Sequence, residues 1–306
     1  SQGNPHQAFE ICRPILIADP NNPVALNLAG VAAFQVGLTE EAIDLVETAL
    51  FYAPDYAEAH TNLGNMFAQL NRFEDAEISY ENAMQSDPNY SEAFFNFGSL
   101  METNGNQGKA LIAFEKVLKI NPEHAAAWHG LGNSYKSLQQ LIRAKHAYKK
   151  ALEMDPSLVK ARTNLAAVFH ELREFDLAIE QCEKALELSS DLVEARYNLG
   201  TILQEVGRHT EAIEAYEKVL LAQPTNAAAA MNVAFGLQQI GHLDEAVDAF
   251  LKTIEIDSGF AKAFVNLADL KLQLGDPRGA LSVCDGFLDR HPGNTSVLAF
   301  RVVVLN

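Results

Sequence analysis

The chain has 306 residues, 48% of them hydrophobic, and a formal net charge of −17. This apolar content excludes wholesale disorder. The negative charge excludes a sequence-independent grip on nucleic acid and binding to an anionic membrane surface, because both need clustered Lys and Arg. No signal peptide opens the chain, and no apolar run reaches the roughly 20 residues that span a bilayer. We therefore expect a cytoplasmic protein without nucleic-acid or membrane partners.

Charge is spread unevenly along this acidic chain. Residues 1–90 carry 13 acidic and 2 basic side chains, a net −11, whereas residues 125–158 carry 2 acidic and 5 basic side chains, a net +3. Such a charge run is typical of a solvated face. It is also consistent with steering of a partner of complementary charge. The sequence leaves both interpretations open.

Asparagine recurs at intervals of 34 residues or twice 34, although its amide competes for backbone hydrogen bonds and so disfavours a helix interior. Three other places follow the same period. One is always alanine, one is glycine or alanine, and one is proline in most copies. We number the repeat from Ala57 as position 1, which puts the recurring asparagines at position 6. They are Asn62, Asn96, Asn164, Asn198, Asn232 and Asn266.

Each period predicts two helices. Apolar residues at positions 4, 7 and 11 mark a first helix, and those at 20, 24 and 27 mark a second. A short turn that often holds glycine joins them, and proline at position 32 ends the second helix. In chain order we predict the second helix of a truncated repeat at 1–22, and the first helix of a following repeat at 295–306. Eight full repeats lie between them, at 23–56, 57–90, 91–124, 125–158, 159–192, 193–226, 227–260 and 261–294.

One copy spells out the pattern in full, with Trp128, Leu131, Gly132, Tyr135, Ala144, Ala151 and Pro156. This pattern resembles the tetratricopeptide repeat (TPR), and it covers essentially the whole chain. The resemblance implies an all-α fold, a right-handed superhelical α-solenoid of helix hairpins. It also implies that the first helices line a concave groove, which in this family binds proteins or peptides.

Catalytic and metal chemistry find little support in the sequence. Cys12, Cys182 and Cys284 all fall on position 24, where other copies carry apolar residues, so we predict buried, unpaired core residues. The histidines scatter over different positions without zinc-ligand spacing. We therefore expect no enzyme activity, no metal and no cofactor in these residues.

Positions 2, 5, 6, 9, 12 and 13 fall on the stripe that lines the groove in the family. The asparagines at position 6 have two possible roles. They could bond to the neighbouring repeat and fix the pitch of the superhelix. Alternatively, they could grip the main chain of an extended peptide, because a carboxamide offers both a donor and an acceptor. We favour the second role, which is similar to the asparagine ladder in the repeats of O-GlcNAc transferase. Leu28 and Gly130 interrupt the ladder. The predicted peptide-binding residues are Asn62, Asn65, Asn96, Asn133, Asn164, Asn198, Asn232, Asn266, Phe95, His129, Tyr197 and Met231.

The leading functional hypothesis is thus a scaffold that binds a protein or peptide in extended conformation. Two alternatives stay open. The repeats could be the substrate-recruiting arm of a larger enzyme of glycosyltransferase or 2-oxoglutarate oxygenase type. They could instead form a self-assembling scaffold, a homo-oligomer built through terminal helices such as Thr295–Asn306, which has an apolar face without a covering second helix.

Overall fold

The structure, a computed structural model, describes residues 5–305, with side chains from Cys12 onward. These residues form eighteen α-helices and no β-strand, which confirms the predicted all-α class. The chain divides into two compact units, Ser1–Pro156 and Ser157–Asn306. The first contains α1 (Pro5–Ala18), α2 (Pro23–Gln35), α3 (Thr39–Tyr52), α4 (Ala57–Gln69), α5 (Phe73–Ser86), α6 (Ser91–Thr103), α7 (Gln107–Ile120), α8 (Ala125–Ser137) and α9 (Leu141–Met154). The second contains α10 (Val159–Glu171), α11 (Phe175–Leu188), α12 (Val193–Glu205), α13 (His209–Ala222), α14 (Ala227–Gln239), α15 (Leu243–Ile256), α16 (Ala261–Gln273), α17 (Pro277–Leu288) and α18 (Thr295–Leu305).

Helices pair into hairpins within each unit. From α2 to α15, first helices of 13 residues alternate with second helices of 14, and each first helix packs against the second helix that follows it. First helices also contact each other, as α4 does with α6 and α10 with α12. Each described helix lies within one of the predicted repeats. The repeat boundaries themselves stay a prediction, and residues 1–4 and 306 of the two terminal segments lie outside the described residues.

The turn inside each hairpin requires a left-handed backbone. Five hairpins place glycine there, with φ between 76° and 86°, as at Gly105 and Gly207. Three others use a residue with a side chain, namely Asn71, Gln139 and Arg173, at φ of 59° to 61°. Because a Cβ is strained in this region, the glycine that the sequence often shows at the turn has a conformational cause.

The interior of each hairpin depends on a close approach between its two helices. A Cβ on Gly64 would lie 2.6 Å from the ring of Tyr80, so position 8 accepts only the smallest residues opposite a large aromatic. The three cysteines occupy the same layer as Tyr80 and are buried and unpaired, as the sequence predicted. Burial raises the pKa of the Cys182 thiol to about 12, so this thiol stays protonated at neutral pH.

Among the described residues, none of the helices combines the length and the apolar character that crossing a membrane requires.

Candidate functional site

The first helices carry the predicted peptide-binding residues, and eleven of the twelve are partly exposed. Met231 is the exception. Its side chain is 5% exposed and lies in a buried cluster with Ala234, Phe250 and Leu267, which disfavours contact with a ligand. Its place in the site stays a prediction.

A three-residue hydrogen-bond network joins α4, α5 and α6. The Tyr80 hydroxyl donates to Asn65 Oδ1 at 2.7 Å, and Asn96 Nδ2 donates to the same oxygen at 3.0 Å. Burial raises the pKa of Tyr80, so its hydroxyl keeps the proton that it donates. The network fixes the orientation of the Asn65 amide, because its oxygen must face both donors, the Tyr80 hydroxyl and Asn96 Nδ2.

This network leaves hydrogen-bonding capacity unused. Within the described residues, the Asn65 NH₂ group has no protein acceptor and the Asn96 carbonyl oxygen has no protein donor. Both residues line an open depression of about 250 Å³ between α4 and α6, together with Ser99 and Thr103. A fixed donor and a fixed acceptor therefore lie side by side at this depression, which is the complement that a peptide unit needs.

Two further position-6 asparagines are tethered to the preceding repeat in a different way. Asn62 Nδ2 donates to Asn27 Oδ1 at 3.0 Å, and the fully buried Asn27 donates in turn to the Tyr56 hydroxyl at 3.4 Å. Asn232 Nδ2 donates to the Tyr197 hydroxyl at 3.3 Å. In both cases the acceptor belongs to position 5 of the repeat before. These bonds support the structural role that the sequence had left as the alternative.

Asn198 and Asn266 differ from these residues. Both are partly exposed, and neither side chain makes a hydrogen bond within the described residues. The repeat before each of them differs from those that hold Asn62, Asn96 and Asn232. Before Asn198, positions 5 and 9 are Thr163 and Ala167. The Thr163 hydroxyl is buried and donates to the Val159 carbonyl oxygen of its own helix, and Asn198 makes no hydrogen bond to it.

Before Asn266, positions 5 and 9 are Met231 and Phe235, neither of which carries an oxygen in its side chain. The carboxamides of Asn198 and Asn266 are therefore available to a ligand. Asn164, at position 6 of α10, is also partly exposed.

Asn133 occupies position 9 of α8 and is engaged at both ends. Its oxygen accepts from the Tyr148 hydroxyl at 2.7 Å, and its Nδ2 donates to Glu102 Oε1 at 2.8 Å. The ring centroids of His129 and Tyr148 lie 5.8 Å apart. Burial raises the pKa of the Glu102 carboxyl, and the bond from Asn133 opposes that shift.

Tyrosine at position 24 has an oxygen acceptor at position 9 in all three hairpins that contain it. The pairs are Tyr80 with Asn65, Tyr148 with Asn133, and Tyr216 with Thr201. Hairpins with cysteine or phenylalanine at position 24 lack this pairing, as at Phe114, whose repeat has Ser99 at position 9. The sequence contains this correlation between positions 9 and 24, which the asparagine period at position 6 does not reveal.

Packing accounts for the break in the ladder at Gly130. A Cβ there would lie 2.5 Å from the ring of Phe114, so asparagine does not fit. Phe95 stacks against Phe114 and His124, with ring centroids 5.9 and 4.9 Å away, and supplies an apolar surface beside the gap. At the other break, Leu28, the neighbouring Asn27 provides the amide instead.

Within the part of the chain that the structure describes, no group of three or more His, Cys, Asp or Glu side chains could hold a metal ion. His170 and Glu205 form one close pair, with Nε2 and Oε1 2.9 Å apart on successive first helices. The groove face thus offers amides, hydroxyls and rings, which suit binding.

Comparison with known sequences and structures places this geometry in a family. Models described as tetratricopeptide repeat match residues 27–91, 91–124, 125–158, 157–220 and 197–259. No curated protein matches the chain.

Three solved structures illustrate the shared fold. YrrB, described as a TPR protein with an unusual peptide-binding site, is 24% identical over 60% of this chain and 95% of its own, with a TM-score of 0.55. A MamA structure is 30% identical over 54% of this chain and 96% of its own, with a TM-score of 0.51. The APC/C hetero-tetramer Cut9–Hcn1 is 16% identical over 92% of this chain and 55% of its own, with a TM-score of 0.56.

Proposed function

Because the chain belongs to the tetratricopeptide repeat family, whose hairpin arrays are protein-interaction scaffolds, we propose that its first helices bind an extended peptide through main-chain hydrogen bonds to asparagine side chains. The peptide is unfolded before binding, since only an extended chain exposes its main-chain groups to a row of amides. Recognition of this kind reads backbone more than sequence and accommodates different clients.

The observation that carries the proposal is the network of Tyr80, Asn65 and Asn96. Its two internal bonds hold a free NH₂ group and a free carbonyl oxygen beside an open depression. Preorganised groups bind at a lower entropic cost than mobile ones. A peptide carbonyl would accept from Asn65, and a peptide N–H would donate to Asn96.

The structural role of some asparagines is compatible with this function. Asn62 and Asn232 each use one N–H to hold the preceding repeat. A carboxamide has two N–H donors and an oxygen with two lone pairs, so most of its capacity remains. Asn198 and Asn266 make no side-chain hydrogen bond in the part of the chain that the structure describes, so they offer all of theirs. YrrB, which is similar in fold, is described as binding peptide, and this supports the same class of ligand here.

The test uses a fluorescent peptide selected from a random-sequence display library on the 306-residue protein. We expect the double variant Asn198→Ala/Asn266→Ala to bind it about tenfold or more weakly, since each lost hydrogen bond contributes about 1 kcal/mol. Its thermal unfolding should match the unmodified protein because neither side chain bonds internally. Asn82→Ala is the matched control, an exposed asparagine on the second helix α5.

A second arm asks whether the main chain is what the protein reads. Methylating the backbone nitrogens of the selected peptide removes its N–H donors and should abolish binding, whereas exchange of single side chains should have small effects. Selection of no binder, or equal binding by the double variant and the control, would refute the proposal.

A further inference from the structure

A cavity of about 660 Å³ is lined by residues of the second helices α7 and α9 and of the first helix α8 that lies between them in sequence. We call it the outer furrow. Aromatic and aliphatic side chains line it, chiefly Trp128, Tyr135 and Ile142. Three basic residues, Lys119, Arg143 and His146, stand at its edge and are exposed. A cavity of this size accepts a large apolar side chain with its neighbours.

The outer furrow lies in the one basic stretch of an acidic protein. Residues 109–150 carry eight Lys or Arg and two Glu, a net +6, against −17 for the whole chain. One of those glutamates, Glu115, accepts a hydrogen bond from the Tyr135 hydroxyl at 3.4 Å, and the Arg143 guanidinium lies 5.7 Å from the same ring. Two of these lysines, Lys109 and Lys150, pair with Glu77 and Glu153 outside the stretch. At the furrow itself, Lys119 and Arg143 outnumber the single carboxylate of Glu115, so the lining favours an acidic occupant.

The complementary surface is on α3. Glu40, Asp44, Glu47 and Phe51 are spaced four, three and four residues apart, so they form one stripe of the helix, and all four are exposed. We call this stripe the acidic ridge. Phe51 is 76% exposed and rests edge-on against Tyr52. Residues 14–71 contain seven acidic residues and no Lys or Arg to neutralise them.

We propose that the acidic ridge of one copy docks in the outer furrow of a second copy. Phe51 enters the cavity lined by Trp128 and Tyr135, and the three carboxylates of the ridge face the basic edge. A ridge that meets a furrow is a head-to-tail contact, which leaves one ridge and one furrow free at the ends of each assembly and allows it to extend. The contact uses the second helices α3, α7 and α9 and the side of the first helix α8 that carries Trp128 and Tyr135. None of the predicted peptide-binding residues lines the furrow, so the contact leaves them free for a peptide.

Trp128 is the only tryptophan of the chain and lines the furrow, so its fluorescence reports occupancy directly. As the concentration of the 306-residue protein rises, we expect a blue shift of its emission together with an increase in sedimenting mass. The association should weaken about tenfold between ~0.05 and ~0.5 M salt, because exposed charges are screened. Constant emission and mass over the whole range would overturn the proposal.

Complementary variants test the head-to-tail geometry. Phe51→Asp removes the ridge anchor, and Ile142→Asp, at a residue that is 64% exposed, places a charge in the furrow. Neither side chain is in the core, so circular dichroism should be unchanged. Each variant alone should stay monomeric. Mixed together, they should form a one-to-one complex and no larger species, since one contributes a furrow and the other a ridge.

Leu221→Asp is the matched control, because Leu221 is 82% exposed, more than Phe51, on a helix that also carries Lys218. It should associate like the unmodified protein. Equal loss in this control would show that apolar exposure alone drives association. A rise in mass that leaves Trp128 unchanged and persists in Phe51→Asp would assign the contact to other surfaces, such as Val303 and Leu305 of α18. Either result overturns the proposal.

Discussion

Asparagine at the same repeat position has different surroundings in the two units. In the first unit, Asn96 is bonded to Asn65 of the preceding repeat, and Tyr80 holds Asn65 in place. In the second unit, the side chains of Asn198 and Asn266 make no hydrogen bond to any described residue, although Asn232 between them does. The difference follows the repeat before: each tethered asparagine donates to an oxygen at position 5 or 9 of that repeat, as Asn96 does to Asn65 and Asn232 does to Tyr197. The ladder therefore combines structural and available amides in one row.

The largest effect should come from restoring the ladder where it breaks. Gly130→Asn completes the row in sequence, yet its Cβ would lie 2.5 Å from the Phe114 ring. We expect a loss of about 2–3 kcal/mol in the free energy of unfolding, from overpacking. Leu28→Asn makes the same repair at a side chain that is 43% exposed and should cost far less. Urea titration of both variants measures this.

A double variant identifies the cause of that loss. Phe114→Leu frees space beside Gly130, so its combination with Gly130→Asn should cost less than the sum of the two single changes. Additive losses would mean that Phe114 is not the obstacle.

The next effect contrasts the tethered amides with the free ones. Asn65→Ala removes the acceptor of both Tyr80 and Asn96 and leaves the buried hydroxyl of Tyr80 without a partner. We expect about 1–3 kcal/mol of destabilisation. Asn198→Ala removes no internal bond and should leave stability within about 0.5 kcal/mol of the unmodified protein. Thermal unfolding of the two variants side by side gives the comparison, and equal losses would contradict it.

The fold could be predicted from the sequence because its signals are local and repeated. The 34-residue period, proline at position 32 and alanine at position 20 place each helix without knowledge of its neighbours. The sequence predicts a short turn between the helices, often with glycine. It does not predict that Gln139 and Arg173 adopt the left-handed conformation in two of these turns, since neither residue favours that conformation.

The site was harder to predict because each asparagine depends on residues about 30 positions away. Asn96 and Asn65 are separated by 31 residues, and Asn62 and Asn27 by 35. Met231 is predicted in the groove from its position alone, whereas its side chain lies in a buried cluster with Phe250 and Leu267. A pairwise reading of positions 5, 6, 9 and 24 in successive repeats would have found the tethers.

A smaller gain should come from the turns. Gln139 holds φ at 59°, where Gly105 and Gly207 in other hairpins sit without strain. Gln139→Gly should stabilise the first unit by about 0.5–1 kcal/mol, since relief of the Cβ clash exceeds the entropy that glycine loses. Gly105→Gln, the reverse exchange at an equivalent turn, should destabilise by a similar amount. Denaturant unfolding should show that the two variants change the free energy of unfolding in opposite directions. A change in the same direction would contradict the prediction.

The smallest effect concerns pH and Glu102, which accepts from Asn133. Burial raises the pKa of this carboxyl in the folded protein above its ordinary value, so the folded state binds a proton more tightly than the unfolded state. Stability from this group is present at low pH and is lost as pH rises through the window between the unfolded and the folded pKa. Glu102→Gln keeps an oxygen for Asn133 and removes the titration. Its unfolding free energy should therefore fall less than that of the unmodified protein as pH rises through this window. Parallel profiles for the two proteins would show that Glu102 contributes no pH dependence to stability.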